Sequence, residues 1–465
     1  MTFLAVNPAT GVALREYPAL APSAREALIA RVHREQQAWR HAAHDQRAAF
    51  VHALGEALRS HREALAEWLS LEMGKPVVAA RAEVDKCVQL CAQAPALSLA
   101  ALADERLVED ANHDVRIRYA PLGSILAIMP WNFPYWQALR FAVPTVLAGN
   151  GVLIKPAGSV PGGAHLLDRC FAEARHASGV DAPCHMAFID VDAVDGVIAD
   201  DRIVGVTLTG SDRAGRHVAA VAGQHLKRVV LELGGSDPFI VLPDADIAFA
   251  ASQAVTARTV NSGQSCIAAK RFIVCDAVYD AFLERFVEGM RALRVGDPRD
   301  ELTHIGPLAT QSGRDALARQ VTQSMAAGAR AVLGGSTDGM AGFFYPPTIL
   351  VDVPDDAPAA REELFGPVAA VFRVADITDA IRKANDTPFG LGASVWTRDM
   401  DLATRCIDAL DAGMVFVNDV VASDARYPFG GVKQSGMGRE LGPLGFREFT
   451  NPKTVRRAHL PATLR

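Results

Sequence analysis

From residue 124 onward, short apolar runs recur with helix-length stretches between them: SILAIMP, VLIKP, HMAFID, GVTLTG and VVLELGG. Each run is long enough for one strand buried on both faces and too short for a helix. Successive parallel strands need a crossover of about a dozen residues or more, and the intervening stretches supply it. The pattern restricts the chain to an α/β architecture with a mostly parallel sheet. A second set of runs follows: FIVL near 240, RFIV near 272, TIL near 349, AAVFRV near 371 and GMVFVN near 415. At about 150 residues per domain, a chain of 465 residues calls for more than one core.

The segment before these runs reads differently. Leu28, Ile29, Val32 and Trp39 fall near helical spacing, as do Phe50, Val51, Leu54 and Leu58. EALAEWLSLEMGKP carries a helix stop at Gly74 with Pro76 beyond it, and residues 77–103 form an Ala-rich helical stretch. RLVEDANHDVRIRYAP then alternates around Asn112-His113, which predicts a hairpin. Residues 119–139 carry no charge, yet Pro121, Pro130 and Pro134 exclude a lipid-exposed helix. They read as a buried strand, a turn and the start of a helix.

Half the residues are apolar and 22% are charged, a globular composition. The net charge of −6 and the lack of a basic run argue against nucleic acid as a partner. Seven scattered cysteines do not make a disulfide framework. MTFLAVNPATG lacks a basic, apolar leader. The expectation is a reducing, cytoplasmic protein, with no membrane partner and no metal site.

Three residues stand out chemically. Cys266, in NSGQSCIAAKRF, follows small and polar residues; Gly263 lets the backbone approach a reacting group, and Lys270 is expected to favour a thiolate. Glu232 ends the apolar run VVLELGG, where a carboxylate is costly unless it is paired, hydrogen-bonded or functional. Gly234 and Gly235 suggest a sharp turn that presents it in a cleft. Asn132, in PWNFP, sits in a rigid turn from which its amide can donate to an oxyanion. The bland alternatives are a buried hydrophobic thiol, a solvent-facing strand end and an Asx turn.

PWNFP, LELGG, GQSC, EELFGPV and PFGGVKQSG occur in the order and spacing of the aldehyde dehydrogenase superfamily, which the chain resembles over essentially its whole length. The resemblance implies a Rossmann-like cofactor domain (1–103 and 122–234), an α/β catalytic domain (235–434) and a small β-bridging oligomerisation element (104–121 and 450–465). It implies a homodimer or homotetramer acting on a small-molecule aldehyde with NAD or NADP. Cys266 would be the nucleophile, Asn132 an oxyanion donor and Glu232 the base that activates water. Trp131, Lys155, Gly210, Ser211, Glu363 and Phe365 would bind the cofactor, Lys155 at the adenine ribose and Glu363 at the nicotinamide ribose. The chain departs from common patterns at Asp212, where relatives often carry Thr, and at Gly158, where NAD-selective relatives often carry Glu.

Within the superfamily, Arg140 and Ser423 match the carboxylate-contacting positions of succinate semialdehyde dehydrogenases, and SCIAAKRF and SDAR resemble a bacterial-type branch of them. A second substrate arginine of that group is Val260 here. Arg426, near Ser423, is expected to supply the missing charge, with Arg258 as the other candidate. The alternative reading is a dehydrogenase of broader specificity for aliphatic or aromatic aldehydes.

Overall fold

The computed structural model describes residues 2–110, 113–337 and 339–459. The first set of apolar runs forms one six-stranded sheet in the order Gly436–Met437, Arg228–Glu232, Ile203–Thr209, Ser124–Ile128, Gly151–Lys155 and Cys184–Met186. All neighbours are parallel except the Gly436–Met437 strand. The chain starts this sheet at Ser124–Ile128, builds outward through the 151 and 184 strands, then returns to build the other side. The strand order therefore reverses beside Ser124–Ile128, which opens a crevice beyond the carboxyl ends of the strands.

The second set forms a seven-stranded sheet in the order Arg330–Leu333, Thr348–Val351, Val368–Val374, Arg271–Cys275, Pro238–Val241, Gly392–Trp396 and Met414–Val417. Arg228–Glu232 ends the path through the first sheet and Pro238–Val241 begins the second. The carboxyl end of one sheet thus feeds the amino end of the other, and the residues between them lie at the junction.

The third sheet is antiparallel. Thr450–Ala458 pairs along the full length of His113–Pro121, which also pairs with Glu105–Glu109. The predicted turn at Asn112 falls at residues 111–112, outside the described residues, as do 460–465 of the expected bridging element.

The helices largely follow their patterns. Pro22–Trp39, His44–Ser60, Arg62–Met73 and Val77–Ala101 are helical, and Gly74 ends the third in a left-handed conformation with φ of 74°. Residues 119–139 are a strand end, a buried strand, the PWNFP turn and the start of the helix Pro134–Leu147. Three elements depart from the sequence reading. The chain opens with an antiparallel hairpin, Thr2–Asn7 on Val12–Pro18, rather than with a helix. Gly392–Trp396 and Arg330–Leu333 are strands with no counterpart among the runs picked out above. Among the described residues, no helix is long and apolar enough to cross a membrane.

Candidate functional site

The helix Pro134–Leu147 is buried along its whole length and is anchored at its amino end. Both Glu83 oxygens are engaged: Oε1 accepts from the backbone N–H groups of Tyr135 and Trp136 at 3.0 Å, and Oε2 is ion-paired to Lys75. A buried carboxylate thus satisfies two of the helix's free donors and complements its dipole. That fixes PWNFP in front and Trp136, Gln137 and Arg140 behind. Within PWNFP, Asn132 Nδ2 donates to the Gln264 carbonyl at 3.0 Å, and Asn261 Nδ2 donates back to the Asn132 carbonyl at 2.8 Å. The turn is therefore tied to the loop that carries Cys266.

That loop is conformationally unusual. Asn261 and Ser262, both with φ of 55°, precede Gly263 at 77°. Left-handed non-glycine residues cost about 1–3 kcal/mol each and persist only where the surroundings enforce them. Gly263 is required by close approach: a Cβ there would lie 2.3 Å from the Gly366 carbonyl carbon. Lys270 is fully buried and donates to the Ser265 and Cys266 carbonyls at 2.8 and 2.6 Å. Its first structural job is to hold the loop. Burial pushes the Cys266 thiol up to about 12, against the pull of Arg140 and then Lys270.

Glu232 lies at the end of its strand and is 1% exposed, so it does not face solvent. Neither carboxylate oxygen has a protein partner. Burial, and then the neighbouring Glu440, raise its pKa well above the carboxylate range, with Arg140 opposing. Glu440 is itself buried and ion-paired to Arg140 Nε. Glu440 drew no attention in the sequence, where GMGRELG looks like an ordinary charged loop.

Two cavities meet at Cys266. One, of about 230 Å³, is lined by Trp131, Asn132, Gly210, Ser211, Glu232, Glu363 and Phe365 along with Cys266. It occupies the crevice at the strand-order reversal. The other, of about 310 Å³, is bordered by Lys86, Trp136, Arg140, Val260, Cys266, Ser423 and Phe429 among others. Cys266 and Gln137 border both. A thiol at the boundary of two cavities can hold a reacting carbon between a ligand on each side, with the Glu232 carboxyl on the first side.

The first cavity suits a dinucleotide. Ser211 caps the helix Asp212–Gln224, its Oγ accepting from the Ala214 N–H at 3.3 Å, so the amino end of a helix faces this crevice. Glu363 Oε1 accepts from the Gly235 N–H at 3.1 Å and lies 3.4 Å from Lys270 Nζ. A Cβ at Gly234 would come within 2.6 Å of Glu363 Oε2, so glycine lets this carboxylate reach the cleft. The Trp131 and Phe365 rings meet edge to face at 5.7 Å. Lys155 is buried at the end of its strand, its Nζ donating to the Pro156 carbonyl at 3.3 Å; it does not line this cavity. Asp212 is half exposed in the first turn of the capped helix.

The expected substrate residues separate. Arg140 and Ser423 border the second cavity. Arg426 does not: its side chain is 68% exposed and is held by Asp424 at 2.8 Å. Arg258 is fully buried and donates to the Gly263 carbonyl at 2.7 Å, a loop support outside the cavity lining. Neither candidate for the missing charge reaches the cavity. Besides Arg140, the cations that do are Lys75, which is ion-paired to Glu83, and, on the helix Val77–Ala101, Lys86. Its sequence context, AEVDKCVQLC, is that of any amphipathic helix, and no sequence signal singled it out.

The sequence profile of the aldehyde dehydrogenase family matches residues 1–455. A succinate-semialdehyde dehydrogenase [NADP(+)] of Mycolicibacterium paratuberculosis is 46% identical over 459 residues, covering 98% of this chain and 96% of that protein. The crystal structure of succinic semialdehyde dehydrogenase from Streptococcus pyogenes in complex with NADP+ superposes with a TM-score of 0.94 at 34% identity, covering 99% of this chain and 100% of that one. An NAD-dependent aldehyde dehydrogenase from Sinorhizobium meliloti superposes with a TM-score of 0.94 at 32% identity, covering 99% and 92%.

Proposed function

The chain belongs to the aldehyde dehydrogenase family, and on that premise we propose that it oxidises succinate semialdehyde to succinate with NAD or NADP. The observation that carries this reading is the position of Cys266 between a crevice at the strand-order reversal, faced by a helix amino end, and a second cavity bordered by cations and a serine. The similarity to succinate-semialdehyde dehydrogenases over nearly the whole chain supports the same substrate.

The geometry supports the following roles. The Cys266 thiol gives its proton to solvent and its sulfur bonds to the aldehyde carbon. The carbonyl oxygen becomes an oxyanion, which the Cys266 backbone N–H and the second amide hydrogen of Asn132 stabilise. Bound nicotinamide supplies the acceptor for the hydride that leaves this carbon, and the enzyme is left as a thioester. Glu232, ionised for this step by loss of its resting proton to solvent, takes a proton from water as the oxygen bonds to the acyl carbon, and the carbon–sulfur bond breaks as that proton passes to the sulfur, returning the thiol and releasing the acid. A buried carboxyl with a raised pKa can hold that proton. Trp131, Gly210, Ser211, Glu363 and Phe365 would hold the dinucleotide, and Lys155, buried at the end of its strand, would contact its adenine ribose. Arg140, whose Nη2 has no protein partner, and Ser423 contact the substrate's distal carboxylate.

The expected domain division has physical support, with one adjustment. The first sheet recruits Gly436–Met437 from beyond residue 434, so the cofactor domain includes that short strand. The third sheet leaves Glu105–Glu109 and Thr450–Ala458 as outer strands, largely exposed. Such edges pair readily with another chain, which supports a homodimer or homotetramer.

Steady-state kinetics test the substrate. kcat/KM for succinate semialdehyde should exceed that for butyraldehyde, of equal carbon count, by at least about 100-fold, as expected for a charge-assisted contact in a partly dry site. Equal values would favour the broader-specificity reading.

A further inference from the structure

The second cavity is bordered by three cations, Lys75, Arg140 and Lys86, and they differ in how they are paired: Lys75 is ion-paired to Glu83. Arg140 is held by Glu440 and lies over the Phe429 ring at 4.4 Å. Lys86 is largely buried, and its ammonium is held by neutral groups: Nζ donates to Ser423 Oγ at 2.9 Å and stands 4.2 Å from the centroid of the Trp136 ring. The nearby acids are engaged elsewhere, Glu83 by Lys75 and by two helix N–H groups, Asp424 by Arg426. A buried ammonium without an anion is costly. It persists where a ligand brings the anion.

Ser423 points the same way. Its Oγ accepts from Lys86 Nζ and from Trp136 Nε1, both at 2.9 Å. A hydroxyl that accepts twice has its own proton left to donate. Lys86 and Ser423 together therefore present an ammonium and an O–H donor to the cavity, the donor set a carboxylate needs. Val260 borders the same cavity and brings no charge to it.

We propose that Lys86 is the cation that selects a carboxylate-bearing aldehyde, gripping the distal carboxylate jointly with Ser423 and replacing the charge that Val260 lacks. This rests on the succinate semialdehyde reading and names the residue that enforces it. Arg140, on the next helix, completes the positive end of the cavity and repels Lys86 until the anion arrives. Burial, and then the Arg140 charge, bring the Lys86 ammonium down to about 8, while Cys87, Glu83 and Asp424 pull the other way. The grip is therefore present at neutral pH and is lost as pH rises through that value.

The experiment compares kcat/KM for succinate semialdehyde and butyraldehyde in the wild type, K86M, K86Q and K86R, with cofactor-induced thermal shift reporting folding. The ratio of the two values should fall about 10- to 100-fold in K86M and K86Q and recover most of the loss in K86R, since a charge-assisted hydrogen bond is removed and then restored. In the wild type, the KM for succinate semialdehyde relative to that for butyraldehyde should climb above pH of about 8; in K86M it should stay flat. The wild-type pH series needs no variant to fold. A wild type without preference for succinate semialdehyde would overturn both readings. A wild type with the preference, kept intact in K86M and K86Q, would overturn the role of Lys86 alone.

Discussion

Arg140 and Glu440 form a buried ion pair across 300 residues of sequence, 2% and 4% exposed, beside the carboxyl of Glu232. Two carboxyls and one guanidinium in a dry site cannot all be charged without cost. The guanidinium keeps its charge, Glu440 pairs with it, and burial with the Glu440 charge pushes the Glu232 carboxyl toward its protonated form, against the pull of Arg140. The Arg140 charge therefore bears on Glu232 and Cys266 as well as on the second cavity.

Removing Arg140 should affect both aldehydes. Arg140→Ala leaves Glu440 buried without a cation, which costs about 3–5 kcal/mol and should lower the melting temperature. It also withdraws the charge that most favours the Cys266 thiolate. We expect kcat/KM for butyraldehyde to fall at least about tenfold, or ~1.4 kcal/mol, and that for succinate semialdehyde to fall further. Pairing Arg140→Met with Glu440→Leu should recover melting temperature but not activity. Loss confined to succinate semialdehyde would show Arg140 to be a substrate contact only.

Glu232 should lower stability at neutral pH. Its pKa is raised by burial, so the unfolded chain ionises from about 4.5 upward while the folded one holds its proton to higher pH. The stability that the protonated form contributes is full below 4.5 and declines as pH rises toward the folded value. Glu232→Gln removes this dependence. Melting curves across pH should coincide for the two proteins below about pH 4, with the variant higher at pH 7–8. Parallel curves at all pH values would mean that Glu232 ionises normally.

The Cys266 thiol should be sluggish in the ligand-free enzyme. With its pKa pushed up to about 12, little thiolate exists at neutral pH. Alkylation by iodoacetamide should accelerate with pH through 10 without a plateau. A plateau below pH 8 would mean a thiolate preformed before substrate arrives.

Both dinucleotides should be used. Gly158 packs against Phe3, where an added Cβ would lie 3.0 Å from Cδ1, and it brings no carboxylate to repel a 2′-phosphate. Lys155→Ala should reduce kcat/KM with NADP more than with NAD, since it removes a cation near that phosphate. A wild-type preference for NAD above about a thousandfold, or ~4 kcal/mol, would contradict dual use.

The buried parallel strands were legible because apolar runs of the right length with helical spacers have few other solutions. Cys266, Glu232 and Asn132 stood out because each is chemically out of place in its local context, and the fold brings all three to one cavity. The amino-terminal hairpin was not read, although Asn7-Pro8 and Gly11, with φ of 73°, mark its turn; Leu4, Val12 and Leu14 are exposed, so no buried alternation announces it. Lys86, Glu83 and Glu440 were invisible for a different reason. Each is a common charged residue on a common element, and its meaning comes from partners far off in sequence: Ser423 for Lys86, the 134–147 helix for Glu83, Arg140 for Glu440. Arg426 was the reverse case. Its position near Ser423 suggested a substrate contact, but Asp424, two residues away, holds it at the surface.

The most direct test of the account is a rapid-mixing experiment on Glu232→Gln with succinate semialdehyde and NADP, followed by mass spectrometry of the quenched protein. Cys266 can still form the covalent bond and lose hydride, but no group remains to activate water. The account predicts a burst of reduced cofactor close to one equivalent per active site, a stalled steady state, and a succinyl thioester on Cys266. Full steady-state turnover without a burst, or an acyl group on any other residue, would contradict it.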